Sequence, residues 1–165
     1  VDLGSFDLLE PHISTTDHPQ WMQESGMMKV NEGEPSEGLR RFVNTVRNLY
    51  PENRDRYRSI LDDLTTKWAD WASKPGSVQG AGAESKRLPL VTTEAWTTVL
   101  YEDISPDGRD GEWEWFKEVA EIGIRNSVRK GWQGICTSNF SEPHFEGMWC
   151  DIDWHRRMTS FIRGG

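Results

Sequence analysis

The sequence lacks most of the features that would assign a chain to a common binding class. It has no basic stripe, and its formal net charge of −8 argues against nucleic-acid binding, because phosphates must be neutralised by lysine and arginine. It has no apolar run of about 18 residues, so no membrane span is predicted. Cys-x-x-Cys, His-Glu-x-x-His and Gly-x-x-x-x-Gly-Lys motifs are absent. We therefore expect no metal site and no cofactor.

Cysteine is also scarce. Cys136 and Cys150 are too few for a disulfide framework. They could pair, but two buried free thiols are the preferred interpretation. Cys136 could in principle act as a nucleophile beside a histidine, although a thiol in the middle of an apolar strand is usually inert.

The chain starts at Val1 with no basic segment, which we interpret as a processed, truncated or fragmentary start. Free thiols and no visible signal peptide favour a cytoplasmic location. A missing N-terminus could, however, have carried an export signal.

What the sequence does contain is one domain's worth of residues, 1–165, with nine tryptophans. The patterns predict these elements in chain order: a strand over 6–13, a polar loop over 14–35, a helix over 36–49, a helix from Pro51 to a stop at 74–76, a connector over 76–87, a strand over 88–94, a helix from about Glu112 that ends before Gly131, a strand over 133–140 and a helix from about Asp151.

Repeated strand-then-helix units predict an α/β fold of parallel strands joined by right-handed crossovers. Three such units cannot close a barrel. We therefore interpret the chain as the C-terminal part, the last three βα units, of a (β/α)8 TIM barrel.

The apolar strand over 88–94 closes on Glu94, and Trp96 follows two residues later. Groups at the carboxyl ends of barrel strands form active sites, so Glu94 is a candidate catalytic carboxylate. Trp96 offers a flat face on which a sugar ring could stack. The alternative is a glutamate that merely follows a strand and faces solvent.

The three strand ends, residues 7–12, 91–96 and 135–140 (DLLEPH, VTTEAW and ICTSNF), carry a resemblance. In this order they resemble strands six to eight of the cellulase-like glycoside hydrolases, β/α-barrel enzymes that retain anomeric configuration. The resemblance implies that Glu94 is the nucleophile and that His12 hydrogen-bonds it. It further implies sugar contacts from strand eight and the following loop: Asn139, Phe140, His144 and Trp149.

One departure from the family pattern concerns the acid/base glutamate, which belongs to strand four and has no counterpart here. A separate N-terminal polypeptide, another subunit or Glu10 could supply it. Glu10 and His12 share a face if the strand alternates regularly, and they do not if Pro11 disturbs that alternation. Alternatively, Glu10 is a barrel-interior carboxylate paired with an arginine, and His12 is a structural histidine.

Aromatic residues are the other candidates for binding a carbohydrate substrate. Trp96 is the first choice for a stacking platform and Trp149 the second, with Tyr101 in the polar loop as a further substrate contact. His155 lies on the inner stripe of the last helix, which favours core packing. Trp21 could belong either to the rim of a sugar cleft or to a hydrophobic anchor of its loop.

The function predicted is thus glycoside hydrolysis, with a non-catalytic carbohydrate-binding or interaction module as the alternative. A third possibility is a piece of a longer enzyme with no function of its own. An open three-stranded sheet would expose strand edges and an apolar inner face. We therefore expect association with a complementary N-terminal barrel portion or with a second copy.

Overall fold

The computed structural model describes residues 7–24, 35–73, 87–96, 113–137 and 146–164. These residues form an α/β structure of short parallel strands and helices, as predicted. Its elements are β1 (Ile13–Ser14), α1 (Pro19–Glu24), α2 (Pro35–Ala72), β2 (Val91–Thr92), β3 (Ala95–Trp96), α3 (Trp113–Arg129), β4 (Gly134–Ile135), α4 (Glu146–Trp149) and α5 (Ile152–Ile162).

All strand pairs in the described residues are parallel, and the segment over 90–96 lies in the middle. Its first part pairs with β4 and its last part, β3, pairs with β1. A bridge between Leu9 and Leu90 extends the β1 side of this arrangement. The ladder is sparser than the predicted strands of seven or eight residues, because the middle segment bends at 93–94, where it changes partner.

Side chains in the first strand segment alternate between the two faces of the sheet. Leu9, Pro11 and Ile13 are buried, whereas Glu10 and His12 are exposed. Pro11 therefore does not disturb the alternation. The open face is polar at this end, which corrects the expectation of an apolar inner face. The described large hydrophobic residues that are exposed are Leu8 and Ile152.

Helix α2 joins the two helices that the sequence predicts over 36–49 and from Pro51. Proline has no N–H to donate to the preceding turn, so it interrupts the helical ladder. Two residues later, Asn53 leaves helical geometry with φ −119° and ψ 19°. Its side-chain amide donates to the Leu49 carbonyl, four residues earlier, at 2.8 Å.

The described part of the predicted loop over 14–35 is ordered by local hydrogen bonds and one aromatic anchor. The backbone N–H of Trp21 donates to Nδ1 of His18 at 3.2 Å near the start of α1. The Trp21 ring is buried and meets the ring of Tyr57 edge-on at 5.1 Å between centroids. Trp21 is therefore a hydrophobic anchor of this segment, the second of the two interpretations above.

The core between the helices is aromatic. Tyr50 contacts Tyr57 at 5.2 Å and Trp115 at 5.8 Å between ring centroids, which links α2 to α3. Burial raises the pKa of both tyrosines, so they stay neutral in the core. Six of the nine tryptophans are buried: Trp21, Trp96, Trp113, Trp115, Trp132 and Trp154.

Helix α5 is attached to α3 through one carboxylate. Asp151 is its N-cap, and its carboxylate accepts from the backbone N–H of Trp154 at 3.0 Å. The same carboxylate accepts from the buried Lys117 ammonium at 2.7 Å. The Lys117 ammonium, and then the Trp154 N–H, hold the pKa of Asp151 below its usual 3.8. The predicted start of the last helix at about Asp151 is therefore confirmed.

We expect Asp151→Ala to lower the free energy of unfolding by at least about 1 kcal/mol, because an N-cap is lost and a buried ammonium loses one partner. Since the pKa of Asp151 is lower in the folded state, its charged form stabilises the fold above pH ~4. That contribution is lost as the pH falls through the folded-state pKa. Denaturant unfolding of wild type, Asp151→Ala and Asp151→Asn at several pH values measures both effects, because asparagine keeps an N-cap but removes the charge.

Asp153→Asn is the matched control, since Asp153 is also in the first turn of α5 but is exposed and pairs with Arg156 at 3.6 Å. A loss in this control as large as that of Asp151→Asn would contradict a specific role for the Lys117–Asp151 pair.

Candidate active site

The site predicted from sequence centres on Glu94, and the structure holds this residue from three sides. Its carboxylate Oε2 lies 3.0 Å from Nδ1 of His12. Its carbonyl accepts from the Ile13 N–H at 3.1 Å and from the Thr92 hydroxyl at 3.0 Å. The side chain remains 38% exposed, so a ligand can reach the carboxylate. A fixed, accessible carboxylate at a strand end suits nucleophilic or electrostatic chemistry.

Glu10 lies beside this pair on the same open face. Its carboxylate accepts a hydrogen bond from the Thr93 hydroxyl, the residue that precedes Glu94. Within the described residues this is the contact seen for Glu10, and no arginine pairs with it. Thr93 was not among the residues predicted from the sequence. The signal that could have identified it is its hydroxyl directly before the strand-end glutamate.

Trp96 is not a stacking platform in this structure, which corrects the first-choice prediction. Its side chain is fully buried. After the bend at 93–94 the chain directs the indole toward α3, where Gly123 has no side chain to exclude it. A ring with no exposed face cannot receive a sugar.

Trp149, the second choice, is half-buried and packs against the ring of His155. Its indole stacks on the His155 ring, with centroids 5.2 Å apart and planes 22° apart. His155 Nε2 lies 3.1 Å from the Met148 carbonyl and Nδ1 lies 3.0 Å from the Thr137 hydroxyl. Because a carbonyl only accepts, Nε2 carries the proton and Nδ1 accepts from Thr137.

His12 and Glu94 stand at one level on neighbouring parallel segments, because Ile13 pairs with Ala95. On the other side Thr92 pairs with Ile135, and Thr137 lies two residues further along that segment. Glu94 and Thr137 thus both follow the end of the β2–β4 ladder. The Glu94 site and the base of the Trp149–His155 stack therefore lie toward the same edge of the sheet.

Four predicted substrate contacts, Tyr101, Asn139, Phe140 and His144, lie outside the described residues.

Other chemistries find no basis in the described part of the chain. No group of three or more histidine, cysteine or acidic residues there could hold a metal ion. Both cysteines are free thiols, as preferred from the sequence, but only Cys136 is buried and Cys150 is exposed. Burial raises the pKa of the Cys136 thiol to about 12, which makes it a poor nucleophile. No described helix is long and apolar enough to cross a bilayer.

A surface cleft of about 610 Å³ lies between α2 and α3 and contains none of the predicted site residues. Its charged walls are already paired in part, for example Arg125 with Glu121 at 2.6 Å. The size of this cleft therefore does not identify the site. The candidate site is instead the edge of the sheet at which the strand-end polar groups converge.

Comparison with known proteins adds two findings. A family described as sugar-binding cellulase-like matches residues 1–163. A crystal structure of a candidate glycoside hydrolase from Parabacteroides distasonis ATCC 8503 is 31% identical with a TM-score of 0.72. The similarity covers 98% of this chain but 39% of that chain, so this chain spans well under half of that protein's length. A comparison with curated proteins finds no match.

We expect His155 to make the fold sensitive to mild acid. Burial lowers the pKa of His155 below its usual 6.5. The unfolded state therefore binds a proton more readily, and stability decreases as the pH falls below 6.5. The decrease in unfolding free energy from about pH 7.5 to about pH 5.5 should be smaller in His155→Gln than in wild type.

Cys150→Ser, a change at an exposed residue next to Trp149, is the control and should keep the wild-type pH dependence. The same pH dependence in His155→Gln would show that another group is responsible.

Proposed function

Because the chain belongs to the sugar-binding cellulase-like family, we propose that it carries the nucleophile of a retaining glycoside hydrolase. The observation that carries this proposal is the Glu94 carboxylate, held at 3.0 Å by His12 at the end of the central parallel segment and still accessible. The partly matching candidate glycoside hydrolase supports the same assignment.

In the proposed reaction Glu94 attacks the anomeric carbon and forms a glycosyl-enzyme ester, which water then hydrolyses. The His12 ring orients the attacking oxygen. Breaking the glycosidic bond also requires a proton donor roughly 5–5.5 Å from the nucleophile. Glu10 is the candidate within this chain, since it lies on the same face and is held by the Thr93 hydroxyl. A residue from outside the chain is the alternative donor.

Sugar binding is proposed to involve Trp149, whose indole is backed by the neutral ring of His155. A rigid aromatic face costs little entropy when a ligand stacks on it. Tyr101, Asn139 and His144 remain proposed substrate contacts on the strength of the family resemblance.

We further propose that the fold is the last part of a β/α barrel and that it associates with the remainder. Among the described residues, β1 and β4 each pair with a neighbour on one side only. The arrangement of three parallel segments therefore has two open edges. Open parallel edges favour pairing with further strands. The similarity covers 39% of the matched hydrolase, so this chain corresponds to only a part of that protein. A second copy of this chain is the other proposed occupant.

A second candidate function is sugar binding without hydrolysis. The family is described by its sugar binding, and a chain that lacks a proton donor could retain the platform and the Glu94 carboxylate as ligands. The two functions differ in whether Glu94 becomes covalently attached to the sugar.

Glu94→Gln should abolish turnover of an aryl glycoside with a strongly acidic phenol as leaving group. Such a phenol departs without protonation, so the test isolates the nucleophile from the uncertain acid. We expect kcat/KM of the native assembly to fall about 10⁴-fold or more, the scale of nucleophile removal. Trapping with a 2-fluoro glycoside, followed by peptide mass analysis, should label Glu94 in the wild type.

Glu10→Gln is the matched carboxylate control. It should leave kcat/KM of the activated substrate nearly unaffected, and it should lower kcat/KM of a substrate with a poor leaving group about 10²–10⁴-fold only if Glu10 is the acid. Full activity in Glu94→Gln would contradict the nucleophile assignment. Sugar binding without turnover in the wild type would support the binding function instead.

The mass of the native assembly, compared with the 19.0 kDa of this chain, tests the proposed association. We expect a larger species that contains strands for the two open edges, either a polypeptide that completes a barrel or a second copy. A monomer of this chain that stays stable and folded at high dilution would contradict the proposal.

A further inference from the structure

The indole of Trp96 packs directly on the backbone of α3 at Gly123. We call this contact the indole seat, and only a glycine leaves room for it. The Trp96 side chain is fully buried there. A Cβ added at Gly123 would lie 2.2 Å from Cε3, 2.5 Å from Cδ2 and 2.7 Å from Cζ3 of Trp96. These atoms belong to the six-membered ring, so its face lies directly on the helix backbone. The indole N–H has no acceptor among the described residues, which means that packing, not a hydrogen bond, sets its depth.

Only one residue, Ala95, separates Trp96 from Glu94 along the chain. Trp96 and Ala95 form β3, and Ala95 pairs with Ile13 in β1. The Ile13 N–H donates to the Glu94 carbonyl at 3.1 Å, and the preceding residue, His12, contacts the Glu94 carboxylate. The strand end that carries Glu94 is thus fixed between the β1 ladder on one side and the indole seat on α3.

We propose that Gly123 and Trp96 are positioning residues for Glu94. Gly123 allows the indole to sit on the helix backbone, and the seated indole fixes the distance of the strand end from α3. That distance sets where the Glu94 carboxylate meets His12. The effect on geometry stands by itself, whereas the effect on rate rests on the function proposed above.

The size of the effect follows from the distances. Ordinary contact requires about 3.4 Å or more, so a methyl group at Gly123 must displace the indole by more than about 1 Å from its 2.2 Å position, or shift α3 equally. A 1 Å misplacement of a catalytic group can cost about 100-fold in rate. Alanine also favours a helix over glycine, so the helix itself is not weakened by the change.

The experiment is a double-mutant cycle of Gly123→Ala and Trp96→Leu in the native assembly. We expect Gly123→Ala to lower kcat on the activated aryl glycoside about 100-fold with KM changed less than about threefold. In the Trp96→Leu background, which lacks the six-membered ring, the same change should cost less than about threefold. Equal costs in both backgrounds would overturn the proposal.

A second readout does not depend on activity. The His12 ring resonances, recorded by NMR at fixed pH, should move in Gly123→Ala toward those of Glu94→Gln, in which the contact is altered directly. Crystal structures should show the His12 Nδ1–Glu94 Oε2 distance lengthened by more than about 0.5 Å. Unchanged resonances and distance in a folded Gly123→Ala variant would overturn the proposal even if the protein hydrolyses no glycoside.

Ser127→Ala controls for helix preference, since it changes another buried position in α3 without adding an atom. It should leave the His12 resonances at their wild-type values. If Gly123→Ala does not fold, Trp96→Leu alone decides: it empties the seat, and His12 resonances identical to wild type in that variant would overturn the proposal.

Discussion

The parallel pairing of the central segment over 90–96 with both of its neighbours is the constraint on which the rest of the structure depends. It sets His12 and Glu94 at one level and Thr137 just past the end of the β2–β4 ladder, so that groups far apart in sequence reach one edge of the sheet. Register matters because successive side chains point to opposite faces. A slip of one residue would turn Glu94 away from His12 and the open face.

The two faces of this sheet have different tasks. One face is apolar and packs on helices whose own contacts are aromatic, such as Tyr50 with Trp115 between α2 and α3. The other face carries Glu10 and His12 and stays accessible. The apolar side therefore supports the polar side, and the buried Trp96 belongs to this support and not to the proposed sugar cleft.

The order of elements and the position of Glu94 could be predicted from the sequence, because helical periodicity and apolar strands are local patterns. The sequence predicted two helices separated at Pro51, which cannot continue a hydrogen-bond ladder, and the structure joins them into α2 with a kink at Asn53. The fate of Trp96 could not be predicted, because it depends on which helix residue faces it, and Gly123 lies 27 positions away along the chain. The Thr93–Glu10 contact likewise depends on pairing between distant segments.

The distribution of tryptophan has a consequence for optical work on this protein. All nine indoles fall in the described residues, and six are buried, so intrinsic fluorescence reports mainly on the core. Trp68 and Trp71, half-buried on α2, contact each other edge-on with ring centroids 5.0 Å apart, and their emission follows that helix. Trp149 is the indole beside the proposed cleft, so a sugar titration would change a minor share of the light. A tryptophan analogue at that single position would be a more selective optical probe.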